Sequence, residues 1–119
     1  MKCPLVPISI GELLDKITIL QIKSENTDNE FVNKELRDLT QIAKDLGVHE
    51  NKYIDDLYEV NRKLWDIEDS LREMENIWRF DDEFIRLARQ VYITNDKRAA
   101  IKKQINEATN SEYSEVKLY

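Results

Sequence analysis

The sequence predicts an all-α fold: a four-helix arrangement built on a long antiparallel helical hairpin, with a short extended N-terminal arm and a C-terminal tail. Only two glycines and two prolines occur in 119 residues, so long stretches contain no helix breaker. In these stretches, apolar residues recur at the three- and four-residue spacing of an amphipathic helix. The two longest stretches are joined by a short connection, which is typical of antiparallel neighbours. We expect one helical domain spanning residues 1–119.

Composition excludes several classes of protein. The net charge of −6 argues against nucleic acid as the main partner, because binding phosphates needs a basic surface. No run approaches the roughly 18–20 apolar residues of a membrane span, and the proline-containing start does not resemble a signal peptide. With one cysteine, Cys3, no internal disulfide can form, and we expect a cytoplasmic protein. One cysteine and one histidine are too few for a zinc site, so any metal would be a hard cation on carboxylates.

The first helix follows an arm that Pro4 and Pro7 keep extended. Ser9 and Glu12 form a capping-box pattern that starts this helix, which we expect to end near Asn26. Its apolar residues form two stripes, one of Ile10, Leu13, Leu14, Ile17 and Leu20 and the other of Ile19 and Ile22. A helix with two apolar sides is either central in the fold or covered by a partner.

The second and third helices lie in the middle of the chain. The second is predicted from about Glu30 to Leu46, with Gly47 as its C-terminal stop. The third is predicted from about Asn51 to Trp78, because it carries the heptad spacing of a coiled-coil seam. The seam residues are Leu57, Val60, Leu64, Ile67, Leu71, Met74 and Trp78.

The fourth helix is predicted from about Asp82 to Ala108 and carries polar residues on its apolar face. Its acidic start suits the positive end of a helix dipole. At 100° per residue, four polar residues share the sector of its apolar stripe: Asn95, Arg98, Lys102 and Asn106. Inward polar groups need internal partners or a ligand.

The hairpin register places inward polar groups of the third helix opposite those of the fourth. A turn near residue 80 pairs positions whose numbers sum to about 161. Glu68 then lies near Tyr92 and Asn95, while Asn61 lies near Arg98 and Lys102. In one interpretation these groups pair internally, Glu68 with Arg98 and Asn61 with Asn95 or Lys102, and fix the helix register. In the other they line a ligand-binding pocket in which Arg98 and Lys102 receive an anion; its residues are Asn61, Glu68, Tyr92, Asn95, Arg98 and Lys102.

Acidic residues on two helices suggest a further alternative. Glu12 and Asp15 lie one turn apart on the first helix, and together with Glu68 and Asp69 they would form a four-carboxylate site for Mg²⁺. The competing interpretation is that Glu12 caps its helix and Asp15 pairs with a cation of the fourth helix. Lys16 lies close to the same face and can neutralise the acids instead.

Several stretches resemble a family of small bacterial and phage helical proteins of unknown function. They are VPISIGELLDKITIL, LWDIEDSL, FIRLARQVYITNDKRAAIKKQIN and the closing EVKLY. The resemblance implies an ordered tail that reaches the polar cluster through Lys117 and Tyr119. It also implies a set of recurring polar positions: Glu12, Asp15, Lys16, Glu68, Asp69, Asn95, Asp96 and Arg98.

Two functional hypotheses follow. The first is a small cytoplasmic module without a cofactor, which binds a protein partner or an anionic small molecule through the inward polar cluster. We expect it to be a homodimer, because the first helix and the heptad seam leave apolar surface to cover. The second is an Mg²⁺-dependent enzyme, since all-α nucleotide pyrophosphohydrolases also hold Mg²⁺ on paired acids. Here some fifty residues separate the acid pairs, whereas in those enzymes they lie on adjacent helices.

Overall fold

The computed structural model describes residues 1–50 and 52–119, and within them it contains four α-helices and no β-strand. The helices are α1 (Ile10–Asn26), α2 (Glu30–Asp45), α3 (Lys52–Asn76) and α4 (Asp82–Ala108). The predicted all-α class with four helices is therefore confirmed. The predicted start of the third helix, Asn51, lies outside the described residues.

Side-chain caps begin three of the helices. Ser9 Oγ accepts a hydrogen bond from the Glu12 backbone N–H at 3.0 Å and so starts α1. Asn29 and Asp81 cap α2 and α4 in the same way. Each cap satisfies a backbone N–H that has no partner inside its helix. Short polar connections thus fix where the helices begin.

Helix α1 is the centre of the fold. It packs against α2, α3 and α4, whereas α2 packs against α1 alone among the described helices. Leu14 and Ile17 on one side of α1 are completely buried, and Ile22 on the other side is almost so. The shared core consists of Leu13, Leu14, Ile17, Ala43, Leu57 and Ile105. Both apolar sides of α1 are thus covered within the chain, which removes one reason for expecting a homodimer.

Helices α3 and α4 lie side by side, joined by residues 77–81. A cleft near the connection is lined by Met74 and Leu87. A second cleft, further along the helices, is lined by Val60 and Ile101. Both pairs fit the predicted antiparallel register, in which the residue numbers sum to about 161.

The connection between α3 and α4 departs from the predicted heptad seam. Trp78 was expected in the seam, but this prediction is wrong: the residue is 83% exposed. It lies beyond the end of α3 with a φ of 56°, in the left-handed region that closes many helices. The Arg79 N–H bonds back to the Met74 carbonyl at 2.9 Å. Gly47 closes α2 with a similar φ of 73°, as predicted. A left-handed backbone thus turns Trp78 out of the seam and into solvent.

Candidate functional site

A buried ion pair joins the first and last helices. The Asp15 carboxylate accepts hydrogen bonds from Arg98 Nε at 2.9 Å and from Arg98 Nη2 at 2.5 Å. The same carboxylate accepts from Asn61 Nδ2 at 2.9 Å, and Asn61 Nδ2 also reaches Thr18 Oγ1. The Asp15 side chain is 1% exposed and that of Arg98 27%. This inner pair therefore connects α1, α3 and α4 through one carboxylate.

Opposing influences set the protonation of Asp15. Burial alone would raise the pKa of its carboxyl group. Hydrogen bonds from Arg98 and Asn61, together with the charges of Arg98 and Lys102, outweigh burial and hold the pKa below its usual value. The hydrogen bond to Asp15 raises the pKa of Arg98 in turn. Both members of the inner pair are therefore charged near neutral pH.

A second group of charges surrounds Lys102, one turn further along α4. Lys102 Nζ lies 2.7 Å from Glu12 Oε2 and 3.7 Å from Glu115 Oε2. Glu115 Oε1 in turn lies 2.5 Å from Lys117 Nζ. These three contacts are named the outer pairs. They run from α1 through α4 into the C-terminal segment and are more open to water than Asp15.

The approach of α1 to α4 explains how the chain brings these charges together. The Gly11 N–H donates to Asn106 Oδ1 at 2.7 Å, in a buried contact. A methyl group on Gly11 would lie 2.8 Å from the Lys102 carbonyl oxygen, so the absence of a side chain permits this close crossing. Ser111 Oγ accepts from the Ile10 N–H at 3.0 Å. The start of the C-terminal segment, residues 111–119, is thereby attached to the start of α1.

An open cleft of about 660 Å³ lies between α4 and the C-terminal segment. It combines cationic, acidic, aromatic and small apolar side chains. The lining residues are Val91, Tyr92, Asn95, Asp96, Arg98, Ala99, Lys102, Glu115, Lys117 and Tyr119. The cleft therefore offers hydrogen-bond donors and acceptors beside two aromatic rings.

Four of the six predicted ligand-binding residues line this cleft: Tyr92, Asn95, Arg98 and Lys102. Asn61 does not, because its amide is buried against Asp15 and Thr18. Glu68 is exposed and does not line it either. The predicted Glu68–Arg98 pairing is wrong, since the carboxylate that Arg98 contacts is Asp15 of α1. The competing prediction, that Asp15 pairs with a cation of the fourth helix, is confirmed.

The four predicted metal-binding carboxylates do not converge. On α1, Glu12 pairs with Lys102, and Asp15 pairs with Arg98. On α3, Glu68 and Asp69 are exposed. Within residues 1–50 and 52–119, no three His, Cys, Asp or Glu side chains gather in a group that could hold a metal ion. The expected convergence fails because the acids of α1 pair with cations of α4, whereas those of α3 lie in solvent.

Reasoning from helix geometry missed one group, Glu115, and the partner of another, Asn106. Glu115 contacts two of the cations, but it lies in an extended segment where helical spacing gives no signal. Asn106 was assigned to the inward face, yet its backbone partner on α1 depends on the close crossing at Gly11. The VPISIGELL stretch was the available signal, because a glycine inside an apolar helix often marks a close contact.

The chain belongs to DUF6165, a family of unknown function, whose sequence model matches residues 4–119. No curated protein and no solved structure matches the chain. None of the helices in the described part of the chain is both long enough and apolar enough to cross a bilayer.

Proposed function

We propose that this chain is a helical binding module that takes an anionic small molecule in the cleft between α4 and the C-terminal segment. The observation that carries the proposal is the presence of three cations on one cleft: Arg98, Lys102 and Lys117. The volume of about 660 Å³ is that of a typical small-molecule site. Tyr92 and Tyr119 supply aromatic surface for the body of the ligand.

The hydrogen bonds to neighbouring side chains do not use all the N–H donors of Arg98 and Lys102. A guanidinium carries five N–H groups, and Arg98 directs two of them at Asp15 and one at Asn95. An ammonium carries three donors, and Lys102 directs one at Glu12, while the carboxylates of Asp15 and Glu115 lie at a longer 3.7 Å. Charge-assisted hydrogen bonds are stronger than neutral ones, so the remaining donors favour an anionic partner.

A thermal-shift panel tests this proposal. Inorganic phosphate, sugar phosphates, sugar carboxylates and nucleotides are each added with and without Mg²⁺. A ligand of the native state raises the melting temperature by an amount that grows with its concentration. We expect at least one anion to do so without Mg²⁺.

Two matched variants locate the binding. Lys117→Gln removes a cation from the cleft, while Lys97→Gln removes an exposed cation of α4 that lines a different cleft. We expect the shift to shrink in Lys117→Gln and to persist in Lys97→Gln. Equal shifts in both variants, or no shift from any anion in the wild type, would contradict the proposal. A shift that requires Mg²⁺ would favour the metal-dependent alternative.

A protein-binding role is the second candidate, and the connection between α3 and α4 is the observation that favours it. Ile77, Trp78 and Phe80 are all exposed there, and the Trp78 and Phe80 rings contact each other edge to face. Exposed apolar groups of this kind mark interaction sites. If the partner is a second copy, sedimentation velocity will show a dimer that Trp78→Ala dissociates. A monomer at every concentration would exclude self-association.

A further inference from the structure

We infer that the ligand of the cleft is a phosphate monoester whose phosphate binds between Lys102 and Lys117, where the Glu115 carboxylate now lies. Glu115 is then an internal competitor for the site. This inference rests on the proposed anion-binding function. It adds the position of the anionic group, its chemical class and the residue that opposes it.

The contacts of Glu115 provide the first argument. One carboxylate oxygen lies 3.7 Å from Lys102 Nζ and the other lies 2.5 Å from Lys117 Nζ. The carboxylate therefore bridges a cation of a long helix and a cation of the C-terminal segment. Such a bridge is the arrangement that an anionic group of a ligand would make with the same two ammonium groups.

The exposure of these groups provides the second argument. The side chains of Glu115 and Lys117 are 50% and 41% exposed, whereas that of Asp15 is 1% exposed. Exposed ion pairs contribute little to stability, because water already solvates both charges. Glu115 also lies in a segment without helical structure, beyond the end of α4. Displacing its carboxylate removes only a 3.7 Å contact from Lys102, which is 12% exposed and keeps Glu12 as its closer partner. Displacing Asp15 would instead leave Arg98 without its buried partner.

Charge provides the third argument and selects the ligand class. A carboxylate carries one negative charge, while a phosphate monoester carries about −1.5 to −2 near neutral pH and three acceptor oxygens. Two ammonium groups therefore attract a phosphate more strongly than they attract Glu115. A ligand carrying one carboxylate gains no such advantage over the resident side chain. Lys102 keeps its hydrogen bond to Glu12 in either case, so this cation stays in place.

Titration calorimetry with two probes tests the inference. Glucose 6-phosphate and glucuronate share a sugar ring but differ in the anionic group. Glu115→Gln removes the competing charge, and Glu112→Gln removes the same charge from an exposed position of the same segment. Circular dichroism checks that both variants keep their helical content.

We expect glucose 6-phosphate to bind Glu115→Gln at least about fivefold more tightly than it binds Glu112→Gln. Two unit charges about 4 Å apart in water change an affinity about fivefold, and the phosphate carries more than one charge. Glucuronate should bind the wild type more weakly than the phosphate does. In the double variant Glu115→Gln/Lys117→Gln, the gain should disappear.

The possible failures are separable. If glucose 6-phosphate binds the wild type but Glu115→Gln binds it no better than Glu112→Gln, the inference is overturned and the proposed function stands. Preference for glucuronate overturns the phosphate assignment alone. If no anion of the thermal-shift panel binds the wild type or Glu115→Gln, the proposed function fails. Binding only to Glu115→Gln would support both, since the wild-type site would then be filled by its own carboxylate.

Discussion

The inner pair and the outer pairs lie one helical turn apart on α4, yet water reaches their carboxylates very differently. Asp15 is sealed beneath α4 and receives donors from two other side chains at once. Glu115 is half exposed and contacts the ammonium groups of Lys102 and Lys117. A buried charge is costly to leave unpaired, whereas an exposed one is readily solvated. The same type of ion pair is therefore expected to be permanent between Asp15 and Arg98 and exchangeable between Glu115 and its two lysines.

Removing the cation of the inner pair should have the largest effect. Arg98→Met leaves Asp15 buried without its hydrogen-bonded counter-charge, with Lys102 Nζ at 3.7 Å as the nearby cation. We expect it to lower the free energy of unfolding by about 3 kcal/mol, the lower end of the range for a broken buried pair. Asp15→Asn/Arg98→Met should recover most of this loss, because neither charge is left alone. Urea denaturation measures both. Arg86→Met is the control on α4, since Arg86 pairs with Glu83 in solvent and should change stability little. Equal losses at Arg98 and Arg86 would erase the distinction between the two kinds of pair.

Lowering the pH should remove part of the contribution of the inner pair to the free energy of unfolding. The pKa of Asp15 is lower in the folded protein than in the unfolded chain, so its contribution is complete above its unfolded pKa of about 3.9. That contribution is lost as the pH falls through the folded pKa. Asp15→Asn/Arg98→Met should therefore lose less stability than the wild type in this acidic range. Asp69→Asn, which removes an exposed acid of α3, is the comparison. Parallel curves for the wild type and the double variant would show that Asp15 is not the group responsible.

Adding a side chain where α1 crosses α4 should have the next largest effect on stability. Alanine favours a helix over glycine by up to about 1 kcal/mol, but the added methyl group of Gly11→Ala would meet the Lys102 carbonyl at 2.8 Å. We expect a net loss of about 1–3 kcal/mol in the free energy of unfolding, because backbone must shift to make room. A melting temperature above that of the wild type would mean that the helices do not cross this closely.

The outer pairs should give the smallest effect, and salt should remove it. Glu12→Gln is expected to lower the free energy of unfolding by about 0.5–1 kcal/mol. At about 1 M salt the screening length falls to about 3 Å, so this difference should nearly vanish. The loss in Arg98→Met should persist at the same salt concentration. If salt removed both losses equally, Asp15 would behave as a solvated group.

The helices were predictable because their signals are dense and local. Ser9, Gly47 and the acidic connection before α4 each mark an end, and the apolar spacing between them leaves little choice of structure. The end of α3 was predicted too late, since the heptad continues in the sequence through Trp78 while the backbone closes the helix after Asn76. A repeat of apolar side chains does not indicate where the backbone adopts the left-handed conformation that ends a helix.

The partners across helices were less predictable than the helices themselves. A helical wheel places Asn61 and Glu68 in the apolar sector of α3, yet Asn61 is buried and Glu68 is exposed. The wheel does not show that α1 supplies partners, Asp15 and Thr18, beside Asn61. The partner of Arg98 is Asp15 of α1, and the register of the α3–α4 hairpin does not determine where α1 lies. The contacts of Glu115 could not be predicted from helical periodicity, because the residue lies in a segment without helical structure. The resemblance in the closing EVKLY was the one signal that pointed the segment towards the cluster.

The inner pair also has a consequence for the order in which the molecule assembles. Asp15 and Arg98 are 83 residues apart in sequence, while α3 and α4 are joined by a short connection. Closing the longer loop costs more chain entropy, so the hairpin should form first and the docking of α1 should follow. Arg98→Met should then mainly accelerate unfolding and leave the refolding rate nearly unchanged, which stopped-flow kinetics can measure. The contact between Asp15 and Arg98 would then act mainly on the lifetime of the native state and little on the rate at which it forms.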